Sequence, residues 1–257
     1  MDSESLPAPP DDLAARQAAF FLDFDGTLAR IVENPADARI DAGVLADLRI
    51  LHGCANGALA IISGREIRDI DRRLGSFRPP VAGVHGLEWR LGDGVLRRAE
   101  TQALALEAVR GAADALSARH DGLVIETKQG SLSLHYRKRP DLAAACLALA
   151  REVRATSAAI HVIEGKMVVE FKASARTKGD ALADFMAKPP FAGRLPVFAG
   201  DDTTDEAAFE RIEDWNGIAI KVGAGVTRAR YHLADPDALH RWLARIAARA
   251  SDMANPS

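Results

Sequence analysis

Four short apolar runs, each bounded by polar residues, constrain this chain most. They are "AAFFLDF" from residue 18, "ALAIISG" from 58, "LPVFAGDD" from 195 and "GIAIKV" from 217. Runs this short that do not alternate with polar residues read as strands covered on both faces, which is the habit of a parallel sheet. Amphipathic helices are expected between them. Val44, Leu45, Leu48 and Leu51 form one apolar stripe, Ile67, Ile70 and Leu74 a second, and Leu182, Phe185 and Met186 a third. A last helix opens with Asp235 as N-cap and Pro236 at its first position, and turns Leu239, Trp242, Leu243 and Ile246 inward. "PPVAGVHG" adds another strand, and a further helix is expected over about 203–212. The fold class is therefore α/β, with a Rossmann-like parallel sheet.

Near residue 105 the pattern changes. A helix over about 102–119 precedes "GLVIETKQGSLSLHYRKR", in which Leu132, Leu134 and Tyr136 alternate with Ser131, Ser133, His135 and Arg137. Period-two alternation marks an antiparallel hairpin with one wet face. A helix with Leu142, Cys146, Leu149 and Val153 inward follows, then "AIHVIE" and "KMVVEFK" around Gly165. These elements form a small α+β unit, 106–173, inserted into a core made of 14–105 and 174–250. Residues 1–13, acidic and proline-rich, are expected to be a disordered leader.

With 257 residues and a net charge of −3, the chain offers no broad attraction for nucleic acid. No apolar stretch reaches the roughly 18 residues of a membrane span. The start of the chain is the reverse of a signal peptide's basic and then apolar design, and Cys54 and Cys146 lie outside any metal or redox spacing. A cytoplasmic monomer is expected. His120, His161, His232 and His240 are too scattered for a zinc site, and a GxxxxGK[ST] phosphate loop is absent.

Polar clusters follow the apolar runs, where open α/β sheets bind ligands. In Asp23-Phe24-Asp25-Gly26-Thr27 the two carboxylates, two residues apart, face one side of an extended chain. Such a pair suits a nucleophile with a proton donor, and equally a strand-ending turn. Asp201, Asp202 and Asp205 crowd the end of "LPVFAG". They exceed what helix capping needs and suit a hard divalent cation such as magnesium, which would also hold Asp23 and Asp201 together. Ser63-Gly64-Arg65 reads as a phosphate cradle or an ordinary N-cap. Lys178, by itself, reads as a solvated surface lysine, but it sits at a helix start, where a cation opposes the dipole and hints at a compensating anion.

The order Asp-x-Asp-Gly-Thr, Ser, Lys and Gly-Asp-Asp, each at a strand or helix end, resembles the haloacid dehalogenase superfamily of phosphotransferases. The resemblance implies an aspartyl-phosphate mechanism, with Asp23 as nucleophile and Asp25 as general acid and base. Ser63 and Lys178 would hold the phosphoryl oxygens. Mg²⁺ would bind Asp23, the Asp25 carbonyl and Asp201, with Asp202 and Asp205 at or near the ion. "FLDFDGTLARI", "IISGR", "AGVHGLE", "IETKQGSLSLHYR", "GKMVVEFK" and "FAGDDTTDEAAF" together resemble the trehalose-6-phosphate phosphatases over about 19–243. That likeness makes the inserted unit a cap that grips the disaccharide in a step of trehalose biosynthesis. Glu126, Lys128, Arg137, Lys166 and Glu170 match the family's substrate contacts there. Arg65, His85, Gly86 and Glu88 would lie beside the substrate in the core. The departure is Val84, where the family often carries a polar or acidic residue. A related sugar phosphatase, a phosphomannomutase and a non-catalytic phosphosugar-binding module are the competing readings. The solvated face of an antiparallel sheet is the plain alternative for the cap residues.

Overall fold

The computed structural model describes residues 2–99, 103–128, 130–165 and 167–254, with Pro35, Ala103, Lys128 and Ala254 described by their backbones alone. The chain divides into two units, the larger running to Arg97 and resuming at Arg176, the smaller Arg98–Ala175. The smaller unit thus takes in the whole of its first helix rather than dividing it at residue 106. Leu106, Val109, Ala113 and Leu116 of that helix all belong to one apolar core.

In the larger unit the parallel strands are β1 (Ala18–Leu22), β2 (Leu59–Ile62), β3 (Val81–Gly83), β10 (Leu195–Gly200), β11 (Ile218–Val222) and β12 (Tyr231–Leu233). Two short strands, β4 (Glu88–Arg90) and β5 (Leu96–Arg98), extend one edge, β4 running antiparallel to β3. The order across the sheet is β12-β11-β10-β1-β2-β3-β4-β5. Every residue of β1, β2 and β11 is buried, as strands covered on both faces must be. Helices α1 (Ala42–Cys54) and α7 (Pro236–Ala254) pack together, as do α5 (Lys178–Met186) and α6 (Glu206–Arg211), while α2 (Ile67–Leu74) lies against β3. Phe21 of β1 stacks on Phe191 at 5.3 Å and meets Phe185 of α5 at 6.0 Å. Each such fully buried ring contributes about 1.5–3 kcal/mol by leaving water.

β1 lies between β2, which follows it, and β10, to which the chain returns only after the insertion. The sheet reverses its winding here, and ligands of open α/β sheets bind outside the carboxyl ends of the strands at such a point. Leu22 is level with Ala199 on one side and Ile61 on the other. Asp23, Asp201 and Ser63 therefore emerge from three adjacent strand ends.

The smaller unit packs α3 (Ala103–Arg119) and α4 (Ala143–Thr156) with β6 (Val124–Lys128), β7 (Ser131–His135), β8 (His161–Gly165) and β9 (Val168–Lys172), an antiparallel sheet of order β6-β7-β9-β8.

Residues 2–12 differ from the disordered leader expected of them. Ser3 is buried, its N–H donating to the Gly225 carbonyl (3.0 Å) and its hydroxyl accepting from Gly225 N–H (3.1 Å). The N–H of His232 in β12 donates to the Pro7 carbonyl, Trp242 Nε1 to that of Pro10, and Arg245 to both oxygens of Asp11. The segment buries little apolar surface, which is why its composition read as disorder. Hydrogen bonds to α7 and to the edge of the sheet hold it. Among the described residues no helix is long and apolar enough to cross a membrane.

Candidate active site

β1 delivers Asp23 into the interior, its side chain 5% exposed and its N–H bonded to the Ala199 carbonyl (3.0 Å). The chain then turns sharply. Gly26 N–H donates to Ala29 O and Ala29 N–H to Phe24 O, both at 2.7 Å. Gly26 has φ +79°, and a Cβ there would stand 2.0 Å from Asp201 Oδ2, so only glycine lets the two loops close up. Thr27 Oγ1 donates to Asp201 Oδ1 at 3.2 Å, and Lys221 Nζ, the charge in the otherwise apolar β11, donates to the Asp201 carbonyl. Gly200 allows a second close approach, since a Cβ there would fall 2.3 Å from Asp205 Cγ.

Lys178 joins these loops. A capping box between Thr177 and Asp180 starts α5 and projects Lys178 from its first turn. Its Nζ donates to Asp23 Oδ1 and to Asp205 Oδ1, each at 2.7 Å, and all three side chains are 5% exposed or less. The anion implied by a lysine at a helix start is thus a pair of carboxylates. Burial pushes the Asp23 carboxyl well above its ordinary range, more than Lys178 pulls it down, with Asp205 and Asp201 adding to the rise. Burial and the Asp205 charge likewise push Asp201 up to about 6. Burial alone would lower the Lys178 ammonium, but its two carboxylate partners raise it instead.

Ligand atoms of Asp23, Asp201 and Asp205 all lie within 4.8 Å of one another. An all-oxygen group in which burial already strains the carboxylates fits a hard divalent cation. Asp202, expected among the metal ligands, stands apart: it is exposed and its Oδ1 accepts from Thr203 N–H at 2.7 Å, capping the turn that leads into α6. Asp205 takes its place in the cluster, its Oδ2 accepting from Asp202 N–H at 3.0 Å.

Ser63 is buried beside this group, and its Oγ accepts from Arg65 N–H at 3.2 Å. Arg65 forms a two-pronged pair with Asp25, Nε to Oδ2 and Nη2 to Oδ1, both at 2.6 Å. The loop Val84-His85-Gly86 returns to this motif through Val84 N–H to Arg65 O and His85 N–H to Ser63 O, both at 3.0 Å. Val84 and His85 take φ of 48° and 54°, a conformation costly for a β-branched residue and typical of functional loops. Arg176 Nε donates to the Gly86 carbonyl at 2.8 Å. Glu88 is buried with Oε1 accepting from Ile67 N–H at 2.5 Å, so it caps α2.

In the smaller unit, Glu126 is level with Ser133 and Ser133 with Glu170, so one row of the sheet carries both glutamates on the same face. His135 Nε2 stands 3.2 Å from Glu126 Oε2, and Lys128 is level with Ser131. Arg137 is exposed just past the end of β7, whereas Lys166 lies outside the described residues.

A family model described as trehalose-phosphatase matches residues 21–237, which takes in both ends of the cluster and the whole insertion. The chain belongs to the trehalose-phosphatase family. It is 36% identical over 244 residues to the trehalose-6-phosphate phosphatase of Escherichia coli (strain K12), spanning 95% of this chain and 91% of that protein. Among solved structures it resembles the C-terminal domain of C. albicans trehalose-6-phosphate phosphatase, with a TM-score of 0.80, 22% identity, and coverage of 95% of this chain and 98% of that one. It also resembles a haloacid dehalogenase-like hydrolase from Bacteroides thetaiotaomicron, with a TM-score of 0.66, 13% identity, and coverage of 89% and 99%. The chain is accordingly a phosphatase, and it shares the fold of that haloacid dehalogenase-like hydrolase.

Three further side chains support the site. Thr27 and Lys221 steady Asp201 from two sides. Lys221 had a signal, as a lone charge inside "GIAIKV". Asp69, whose Oδ2 accepts from Arg65 Nη1 at 2.6 Å, had none beyond its place on the polar side of a helix.

Proposed function

We propose that this phosphatase hydrolyses trehalose 6-phosphate to trehalose and phosphate through an aspartyl-phosphate on Asp23. The observation that carries the reading is the buried Asp23–Lys178–Asp205 group beside Asp201, at the ends of the two central strands. An Asp23 oxygen attacks phosphorus as the bond to the sugar oxygen breaks, and Asp25 gives that oxygen a proton. Asp25 then takes a proton from water, whose oxygen displaces Asp23 from phosphorus and releases phosphate. Ser63 and Lys178 hold the phosphoryl oxygens in line. Asp23, Asp201 and the Asp25 carbonyl would hold Mg²⁺, which supplies positive charge against the charge that builds on the phosphoryl group. Sugar recognition falls to Glu126, Lys128, Arg137, Lys166 and Glu170, because hydroxyl-rich rings need donors and acceptors together. His85 and Gly86 form the strained loop beside Ser63.

The test is phosphate release from a panel of sugar phosphates, with Mg²⁺ and with excess chelator. Preference for trehalose 6-phosphate, abolished by chelation and restored by Mg²⁺, is the expected result. Full activity in chelator removes the metal from the reading. Preference for another sugar phosphate removes trehalose and leaves the phosphatase.

A further inference from the structure

Asp25 is the exposed member of the catalytic pair, its side chain 42% open to solvent, and it leads into the left-handed turn at Gly26. A carboxyl group so placed has several rotamers available, and proton transfer needs one of them. The Arg65 guanidinium selects one by engaging both Asp25 oxygens at 2.6 Å. Its own direction is fixed from the far side, where Nη1 donates to Asp69 Oδ2, again at 2.6 Å. Arg65 is 12% exposed, and its guanidinium carbon lies 5.6 Å from the centre of the Phe24 ring. A planar fork bound on two edges cannot swing without breaking both.

Asp69 is anchored in turn. It lies in α2, four residues beyond Arg65, and accepts from Arg73 Nε at 3.1 Å and from Arg72 Nη2 at 3.2 Å. Arg73 is 11% exposed and continues the chain of contacts, its Nη1 donating to the Ala36 carbonyl at 3.2 Å and to that of Ala38. Burial works against the charge on Asp69, but hydrogen bonds from Arg65 and Arg73 outweigh it and hold the carboxyl below its usual range. The guanidinium expected to bind substrate is thus engaged by two carboxylates.

We propose that Asp69 is a positioning residue for Asp25, acting through Arg65, so that α2 and the loop at 36–38 set the direction of the catalytic carboxyl group. The inference rests on the acid–base role given to Asp25 above only for its effect on turnover. The linkage between the two aspartates stands apart from that role.

A double-mutant cycle tests it. Asp69→Asn should lower kcat for trehalose 6-phosphate about 10–100-fold, the scale on which misplacing a reacting group acts, with KM nearly unchanged. In an Asp25→Asn background the same change should cost less than about twofold, because nothing remains to be positioned. Arg65→Lys, which keeps the charge and loses the fork, should behave like Asp69→Asn. Aryl esters such as p-nitrophenyl phosphate leave with little need of a proton and should lose less than the sugar ester. Additive losses in the cycle, or full turnover by Arg65→Lys, overturn the inference. Equal losses of aryl and sugar esters in Asp25→Asn alone would instead overturn the acid–base role, while the cycle still decides the linkage. Asp69→Glu, which keeps the charge, should recover part of the lost kcat, and no recovery counts against positioning.

Discussion

Replacing Lys178 with methionine keeps most of a buried side chain and deletes its charge. Asp23 and Asp205, each 2.7 Å from the missing nitrogen and 5% exposed or less, then face one another without it. Removing one partner from a buried ionic group costs about 3–5 kcal/mol, most of it the penalty on the charge left behind. At about 2–4 °C per kcal/mol for a chain of this size, the melting temperature should drop by roughly 6–20 °C. The measurement is convenient, because Trp89, Trp215 and Trp242 all lie in the larger unit, so tryptophan fluorescence follows that unit alone. Melts belong at pH 8 and pH 5 in chelator. Burial already raises the Asp23 carboxyl in the intact protein, and a carboxyl raised on folding costs stability in full above its folded pKa, a cost that shrinks as pH falls below that value and vanishes below the unfolded pKa. The deficit of Lys178→Met should therefore shrink at pH 5, and excess Mg²⁺ should shrink it at pH 8. A variant that melts with the wild type at pH 8, or whose deficit is the same at both pH values, would refute this account.

The Asp201 carboxyl, at about 6 in the metal-free protein, should make Mg²⁺ binding strengthen as pH rises through 6, with proton release visible by calorimetry; affinity that falls over this range contradicts it. By the same sign, the metal-free core should lose the Asp201 contribution to stability as pH rises through 6. Gly26→Ala would press a methyl group against Asp201 and add about 1–2 kcal/mol of backbone strain at φ +79°, so metal affinity and turnover should both fall in a protein that still folds, as read by calorimetry and phosphate release. Glu126→Ala and Glu170→Ala should each cost about 1–3 kcal/mol in kcat/KM for trehalose 6-phosphate and almost nothing for p-nitrophenyl phosphate. Equal losses on both esters would make them structural.

The parallel sheet was legible because β1, β2, β10 and β11 are too short and too apolar to be anything else, and their helices keep one stripe each. β4, β5 and β12 were not, since three residues carry no period. The paired aspartates of the first loop and the acidic cluster after β10 were visible as charge placed where burial should continue. Which of Asp202 and Asp205 joins that cluster was not, because the choice depends on a turn that sends one outward to a backbone N–H and the other inward to Lys178. The role of Arg65 was hidden for a similar reason. A sequence shows a guanidinium and several carboxylates, and only the packing of α2 shows which of them meet.

The segment ahead of β1 changes how the sheet ends. β12 is the last strand on its side, and a bare last strand is a template on which a second chain can add its own. Here the place is taken by residues 2–12, three of which are prolines (Pro7, Pro9 and Pro10) with no N–H to offer a further neighbour. The composition that looked like disorder is well suited to stopping sheet growth. A protein trimmed or fused through this stretch would carry the same catalytic groups, yet its solution behaviour would turn on concentration, because the uncovered edge could then find its partner in another molecule.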